Sequence, residues 1–438
     1  MNILHITVHL GGGVGKAISG IAIQGQQCTN DCHKILLLQQ PEKEGWVQYC
    51  RENGVSVVQW DGNQELFQWA DVLVVSWWNH PAMAQFLIQF PPSSAARVLW
   101  CHVNGIYYPI LSFLLAAAFD RVVFTSPYSM QNPAWTEDEK KSIQSKASVV
   151  YGMGQFQPAK IQPKKDYHIK DAFTVGYVGT LNFGKIHPDF VSYCEAVCKR
   201  LSNVHFIMIG DRNTDLERAV DIAGLTNYFT FTGFVDNVLD RMREFDVFGY
   251  LLNPTHYGTT ENVLLEAMAC GLPVVALNQN VEQFIIPPDA GYLVESPNEY
   301  AETLEQLYNH CDLRANLGHH GRAHIIKTYH LPNNLTAFRN ACRLAISGQK
   351  NTCNFSFLGE TPWDWFLHCL SKDDRLLFIQ IAHGLTSKEI ALQKEAKWKL
   401  LHCSLIFREE RKSSLRHFAN TYPEDKMLRL LNSQLRSV

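Results

Sequence analysis

The sequence predicts an α/β protein made of two doubly wound parallel sheets followed by a helical extension. Two observations predict it. Short apolar runs of strand length alternate with helical or loop stretches from Ile3 to Thr125, and the same alternation restarts from Thr174 to Val294. Beyond residue 350 only helical periodicity remains.

In the first half, strands are predicted at Ile3–Val8, Lys34–Leu38, Ser56–Trp60, Val72–Ser76, Arg97–Cys101 and Arg121–Thr125. The first strand runs into Gly11-Gly12-Gly13-Val14-Gly15-Lys16, with a helix from Ala17. Strand, glycines and helix can cradle phosphate, because glycines let backbone N–H groups approach an anion. The loop is not a P-loop, since Leu10 and Ala17 replace its first glycine and its Ser/Thr, and it does not fit GxGxxG. Two readings stay open, a ligand site and a tight strand–helix turn. Ligands of such sheets gather at the carboxyl ends of the strands, where His80 and His102 fall. Tyr107–Phe119 reads as a buried or interfacial helix. The polar stretch Pro163-Lys164-Lys165-Asp166 marks a boundary near residue 165, giving domains 1–165, 166–347 and 348–438.

In the second half, strands are predicted at Thr174–Val178, His205–Ile209, Phe229–Thr232, Val247–Leu251, Val274–Leu277 and Gly291–Val294, and Asn298–Ser347 is helical. The stretch Thr255–Gly271, THYGTTENVLLEAMACG, carries the strongest chemical signal. Thr260 is the expected N-cap, with Glu261 in the first turn, and Gly271 stops the helix ahead of Pro273. Free N–H groups at the helix start offer an anion site. Asn262 and Glu266 share a face, and Glu266 leans back toward the helix start. A carboxylate beside a phosphate site suits hydrogen bonds from sugar hydroxyls, as in dinucleotide folds. The bland alternative is a solvated helix with two surface acids.

Composition narrows the class. The 438 residues carry a net charge of −3 and 46% hydrophobic residues, which excludes a strongly basic nucleic-acid binder. The 12 cysteines contain no CxxC, the pairs Cys28/Cys32 and Cys194/Cys198 are too isolated to build a four-ligand zinc site, and their scatter fits a reducing cytosol. Cys194 and Cys198 read as buried thiols on an amphipathic helix. The first residues lack a basic leader, and no apolar run is long enough to span a bilayer, so a cytoplasmic location is expected.

NVLLEAMACGLPVV resembles the C-domain signature of retaining GT-B glycosyltransferases of the family 4, or "glycosyl transferases group 1", type. The likeness extends over residues 1 to about 345. It implies a nucleotide diphosphate sugar as donor substrate, bound in an interdomain cleft with no metal and no other cofactor. In that family the second of two signature glutamates binds ribose, which falls on Glu266, and the first, eight positions earlier, binds the donor sugar. Gly258 stands at that first position. Glu261 is the replacement at hand, yet it lies roughly 140° around an ideal helix from Glu266, so only a bent first turn would let it act. Gly258, Thr259, Thr260, Asn262 and Val263 frame the helix start in this reading. The resemblance places Lys185 on the diphosphate-pairing lysine and Thr180 on its companion arginine, with Gly179 and Gly210 at neighbouring strand ends. It assigns Gly233, Phe234 and Val235 to the base, Gly12, Gly13 and Lys16 to the phosphates and acceptor side, and His102 to the donor sugar or acceptor. His102, Lys185 and Glu261 are thus the expected catalytic residues.

The tail is different in kind. Thr386-Ser387-Lys388-Glu389 reads as a capping box that starts a new helix. Between Lys388 and Arg416, eight basic and four acidic residues leave a net of +4. That suits an anionic membrane face, a partner, or a plain helical appendage docked on the catalytic core, and disfavours DNA because Lys394–Leu405 makes a poor recognition helix. The implied function is transfer of a sugar to a cell-surface or lipid-linked glycan, with peripheral membrane contact. The alternatives are a non-catalytic nucleotide-sugar binder with a basic tail, suggested by Gly258 and Thr180, and another GT-B enzyme such as a nucleotide-sugar epimerase.

Overall fold

The structure is a computed structural model describing residues 1–41, 44–408 and 412–436. The chain divides into two units, Met1–Gln155 with Asn334–Val438, and Phe156–Asn333. The first boundary thus lies ten residues before the expected 165, the second lies at 333/334 rather than 347, and the extension belongs to the N-terminal unit.

In the first unit, seven strands form one sheet: β1 (Asn2–Thr7), β2 (Cys32–Leu37), β3 (Ser56–Gln59), β4 (Val72–Trp77), β5 (Ala96–Cys101), β6 (Arg121–Phe124) and β7 (Ala147–Val149). Their order is β3-β2-β1-β4-β5-β6-β7, and every ladder is parallel. Sequence VLVVSW of β4 is buried at every position, as a strand covered on both faces must be. β7 was not anticipated, because three half-buried residues carry no readable pattern.

The second unit holds β8 (Phe173–Val178), β9 (Val204–Ile209), β10 (Phe229–Gly233), β11 (Val247–Tyr250), β12 (Val274–Leu277) and β13 (Gly291–Val294), ordered β10-β9-β8-β11-β12-β13 and again parallel. Helices Pro297–Asn309 and Cys311–Thr328 follow, and Leu331–Ser347 crosses the boundary. Cys194 is buried in helix Phe190–Arg200, as expected, whereas Cys198 is only half-buried.

Four local expectations are corrected. The first helix starts at Gly12, five residues before Ala17, so Gly12 and Gly13 form its first turn rather than a loop. Of Tyr107–Phe119, only Phe113–Ala117 is helical, after Ser112 caps it. Thr386 ends helix Lys372–Thr386 by bonding back to the Ala382 carbonyl at 2.9 Å, so no capping box forms, and the next helix is Ile390–His402 with Glu389 as an uncapped start. The N-cap of helix Asn262–Ala269 is Glu261, not Thr260.

The extension is part of the N-terminal core. Leu4 and Ile6 of β1 and Leu73 and Val75 of β4, alternating along their strands, belong to one hydrophobic cluster with Phe366, Phe378, Phe407 and Phe418. Phe366 is fully buried and its ring meets those of Tyr108, Trp363, Phe378, Phe407 and Phe418. Polar contacts repeat the link: the Tyr422 hydroxyl reaches the Pro81 carbonyl at 3.1 Å, and the Ile110 N–H donates to the Cys369 carbonyl at 2.8 Å. Phe366→Ala should therefore destabilise the whole N-terminal unit by about 3–5 kcal/mol in denaturant titration. An independent appendage would leave the unfolding of the β1–β7 sheet unchanged.

Candidate functional site

In the second unit the strand order turns back between β8 and β11, and open parallel sheets bind ligands at such a switch point. The loop after β8 and the segment after β11 meet there. The Asn253 N–H donates to the Lys185 carbonyl at 2.8 Å, and Ile186 bridges Leu252. This backbone stitching delivers Lys185 to Glu261, with Nζ 2.7 Å from Oε2.

Glu261 sits there because its backbone is left-handed, φ 43° and ψ 65°. That conformation is costly for a residue with a Cβ and persists only where its surroundings enforce it. The enforcers are visible. Besides Lys185, the Tyr250 hydroxyl donates to Oε2 at 2.5 Å, and His256 Nδ1 lies 3.7 Å from Oε1. Beyond His256, Oε1 of the fully buried Glu282 is 3.5 Å from its Nε2. Burial works against the charge of Glu261, but the Lys185 ammonium, His256 and hydrogen bonds from Lys185 and Tyr250 prevail and hold its carboxyl down at about 2. Burial and the same carboxylate push the Tyr250 phenol well up, so it stays a donor.

Gly258 is explained by this arrangement. A Cβ there would come 1.7 Å from Glu261 Oε1 and 2.8 Å from His256 Nδ1. The Glu261 carboxylate thus fills the space a side chain at 258 would enter, from a left-handed residue just outside the helix rather than from a bent first turn.

The other sequence candidates of this unit lie on the same strand ends. Gly179 and Gly210 directly follow β8 and β9 and Gly233 ends β10, linked by Gly179 N–H to Ile209 carbonyl at 2.9 Å and Gly210 N–H to Gly233 carbonyl at 3.2 Å. Gly210 (φ 156°) leaves no room for a Cβ, which would lie 2.0 Å from the Gly179 carbonyl oxygen. Phe234 is 78% exposed and Val235 half-buried. Thr180 is exposed and its carbonyl accepts from Tyr177 at 3.2 Å. Thr259 and Thr260 are buried, and Asn262, Val263 and Glu266 are half-buried on the helix. Sequence reasoning missed His256, Tyr250 and the part Glu282 plays. A lone histidine and a strand-end tyrosine acquire meaning only when a distant carboxylate folds onto them.

The N-terminal candidates have separate surroundings. The His102 ring packs 4.7 Å from Trp100 with Nε2 sequestered, and burial lowers its pKa to about 3. The residue as a whole is half-buried, beside the stacked pair His5 and His33. His80 caps helix Pro81–Ile88 by accepting from the Ala82 N–H. Lys16 lies against Gly154, where a Cβ would come 2.4 Å from its Cγ.

Residues 172–310 match the family model of glycosyl transferases group 1. The chain is similar to the capsular polysaccharide biosynthesis glycosyltransferase CapM of Staphylococcus aureus, 26% identical over 39% of this chain and 46% of that protein. It is also similar to a 2-deoxystreptamine N-acetyl-D-glucosaminyltransferase of Niallia circulans, 23% identical over 31% of this chain and 35% of the other. The matches thus span less than half the length of these relatives. Among solved structures, HepE of Anabaena, crystallised with UDP and glucose, has a TM-score of 0.59 at 16% identity, over 78% of this chain and 99% of that one. A glycosyltransferase of Rickettsia africae has a TM-score of 0.61 at 14% identity, over 80% and 99%. The fold is GT-B.

Two predictions follow from the geometry. Gly258→Ala should cost about 1–3 kcal/mol, by driving a charged hydrogen-bonded carboxylate from its place. In a Glu261→Gly background, which also suits the left-handed backbone, most of that cost should vanish in a double-mutant cycle read by thermal unfolding. For pH, the folded carboxyl at about 2 lies below its ordinary 4.5, so its stabilisation is complete above 4.5 and is lost as pH falls through 2. Glu261→Gln should flatten the stability profile in that window.

Proposed function

We propose that this chain is a glycosyltransferase that moves a sugar from a nucleoside diphosphate sugar to a glycan or lipid-linked acceptor, without a metal and with retention of anomeric configuration. The observation that carries the reading is the Lys185–Glu261 pair at the switch point, beside the start of helix Asn262–Ala269. Glycosyl transfer needs charge stabilisation on the departing diphosphate. Lys185 and the helix N–H groups supply it here. When the diphosphate takes Lys185 as its counterion, Glu261 is released from the ammonium. Its carboxylate is then available to hydroxyls of the donor sugar, the role Gly258 lacks a side chain to fill. Glu266 accepts from the ribose, and Gly233, Phe234 and Val235 frame the base, with the exposed Phe234 ring offering a stacking face. The crystallised HepE complex makes UDP the first nucleotide to test.

His102 is assigned no proton transfer in this reading, because burial keeps its ring neutral and sequestered. Among the described residues no helix is long and apolar enough to cross a membrane. We place the protein at the cytoplasmic membrane face, where exposed Leu376, Ile379 and Trp398 of the extension, with its basic excess, would make peripheral contact.

A second reading is favoured by one feature: Lys185 is already neutralised by Glu261, as it would be in a protein that binds nucleotide sugars without turning them over. Incubation with UDP-, GDP- and ADP-sugars, followed by NMR of the sugar released or transferred, separates the two. The transferase reading expects turnover of one donor with α donor giving α product, and Glu266→Ala should lower kcat/KM by about 10-fold or more, the loss of one charged hydrogen bond. Binding of a nucleotide sugar with no turnover on any acceptor would favour the binder.

A further inference from the structure

The N-terminal sheet has its own switch point, where the order turns back between β1 and β4. The chain leaves these strands at His9 and Trp78, and the crevice outside them is where an open parallel sheet accommodates a ligand. Here that place is reached by a turn of the C-terminal extension. Ser413, in a left-handed conformation at φ 68°, donates its hydroxyl to the carbonyls of Asn79 (2.8 Å) and Trp78 (3.3 Å). The Tyr108 hydroxyl donates to the Ser413 carbonyl, and the Ser413 N–H donates to His417 Nδ1 at 2.9 Å. The His417 ring meets His80 at 4.6 Å. Ser413 and Ser414 are buried, so they anchor the turn.

Lys412 is different. It is exposed, with Nζ 3.2 Å from His9 Nε2 and 5.3 Å above the Trp78 ring. Among the described residues its contacts are these two rings, and no carboxylate pairs with it. The Trp78 indole N–H, more than nine-tenths buried, has no acceptor among the described residues. Helix Gly12–Cys28 begins three residues after His9 with no side-chain cap and no acid in its first turn. Burial, with His417, His9 and Lys412, holds His80 down at about 2, so its ring is neutral beside the ammonium. An ammonium with no carboxylate partner among the described residues suits a ligand that only accepts.

We infer that the Lys412–Ser413 turn is a wall of the acceptor subsite, and that Lys412 selects an acceptor carrying a phosphate or carboxylate. The word acceptor rests on the transferase reading; the anion site does not. The extension would thus contribute to substrate choice as well as to the core.

The test titrates the full chain calorimetrically with decyl phosphate, glucose 6-phosphate, glucuronate and the neutral decyl maltoside, with UDP in parallel. Wild type should bind at least one anionic probe and not the maltoside. Decyl phosphate alone would identify a lipid source, and the sugar acids a saccharide source. Lys412→Ala should weaken that binding by about 10-fold or more, Lys412→Arg should retain most of it, and UDP affinity should be the same in all three. Thermal unfolding of Lys412→Ala should match wild type, since Ser413 holds the turn. Absence of anion binding in wild type, or equal binding in Lys412→Ala, would overturn the inference. Loss of UDP binding in every form, with anion binding intact, would instead overturn the transferase reading.

Discussion

A lysine and a glutamate 2.7 Å apart, the glutamate buried and the lysine about a quarter exposed, form the contact on which the second unit's site depends. Such a pair gains Coulomb energy and loses hydration, and removing one partner strands the other charge. Here the pair also sets the backbone. Glu261 accepts a left-handed conformation because Lys185 and Tyr250 hold its carboxylate on the far side of the turn. From that follow the start of helix Asn262–Ala269 at 262, the need for glycine at 258, and the enclosure of His256 between two acids.

In the proposed mechanism the same contact gives the site two charge states. In the structure Lys185 and Glu261 neutralise each other. A diphosphate offers Lys185 more negative charge than one carboxylate does, so the pair can exchange partners while helix N–H groups take a share. In the proposed mechanism the carboxylate is released where the donor sugar must be oriented. In the N-terminal unit the balance differs, because the sheet's carboxyl edge is finished by a turn from residues more than 300 positions away, Tyr108 to Ser413.

Much of the fold was legible because parallel strands buried on both faces write themselves as short apolar runs, as VLVVSW does. Twelve strands were found that way, and β7 was lost for want of length. The helix stop at Gly271 was legible because its φ of 76° is a glycine conformation. The helix start was not, since local preference favours Thr260 as cap and the deciding force is a charge 76 residues earlier. His102 is harder to read: its place after a strand pointed to a ligand, and the residue is half-buried against Trp100 with Nε2 sequestered. The extension's partner was equally hidden, because helical periodicity says that a face is buried and not against what. Of the readings the basic tail left open, the docked appendage is the one its packing matches, since Phe366, Phe407 and Phe418 turn inward to the β1–β7 core.

The central claim is that Lys185 belongs to a diphosphate and that Glu261 holds its place until one arrives. Calorimetric titration of UDP and GDP into wild type, Lys185→Ala and Glu261→Gln tests it most directly. The account predicts that one nucleotide binds wild type, that Lys185→Ala weakens it by about 10-fold or more, and that Glu261→Gln binds it as tightly as wild type or more tightly, because a competing anion is gone. Equal affinity in wild type and Lys185→Ala, or weakened binding in Glu261→Gln, would contradict it.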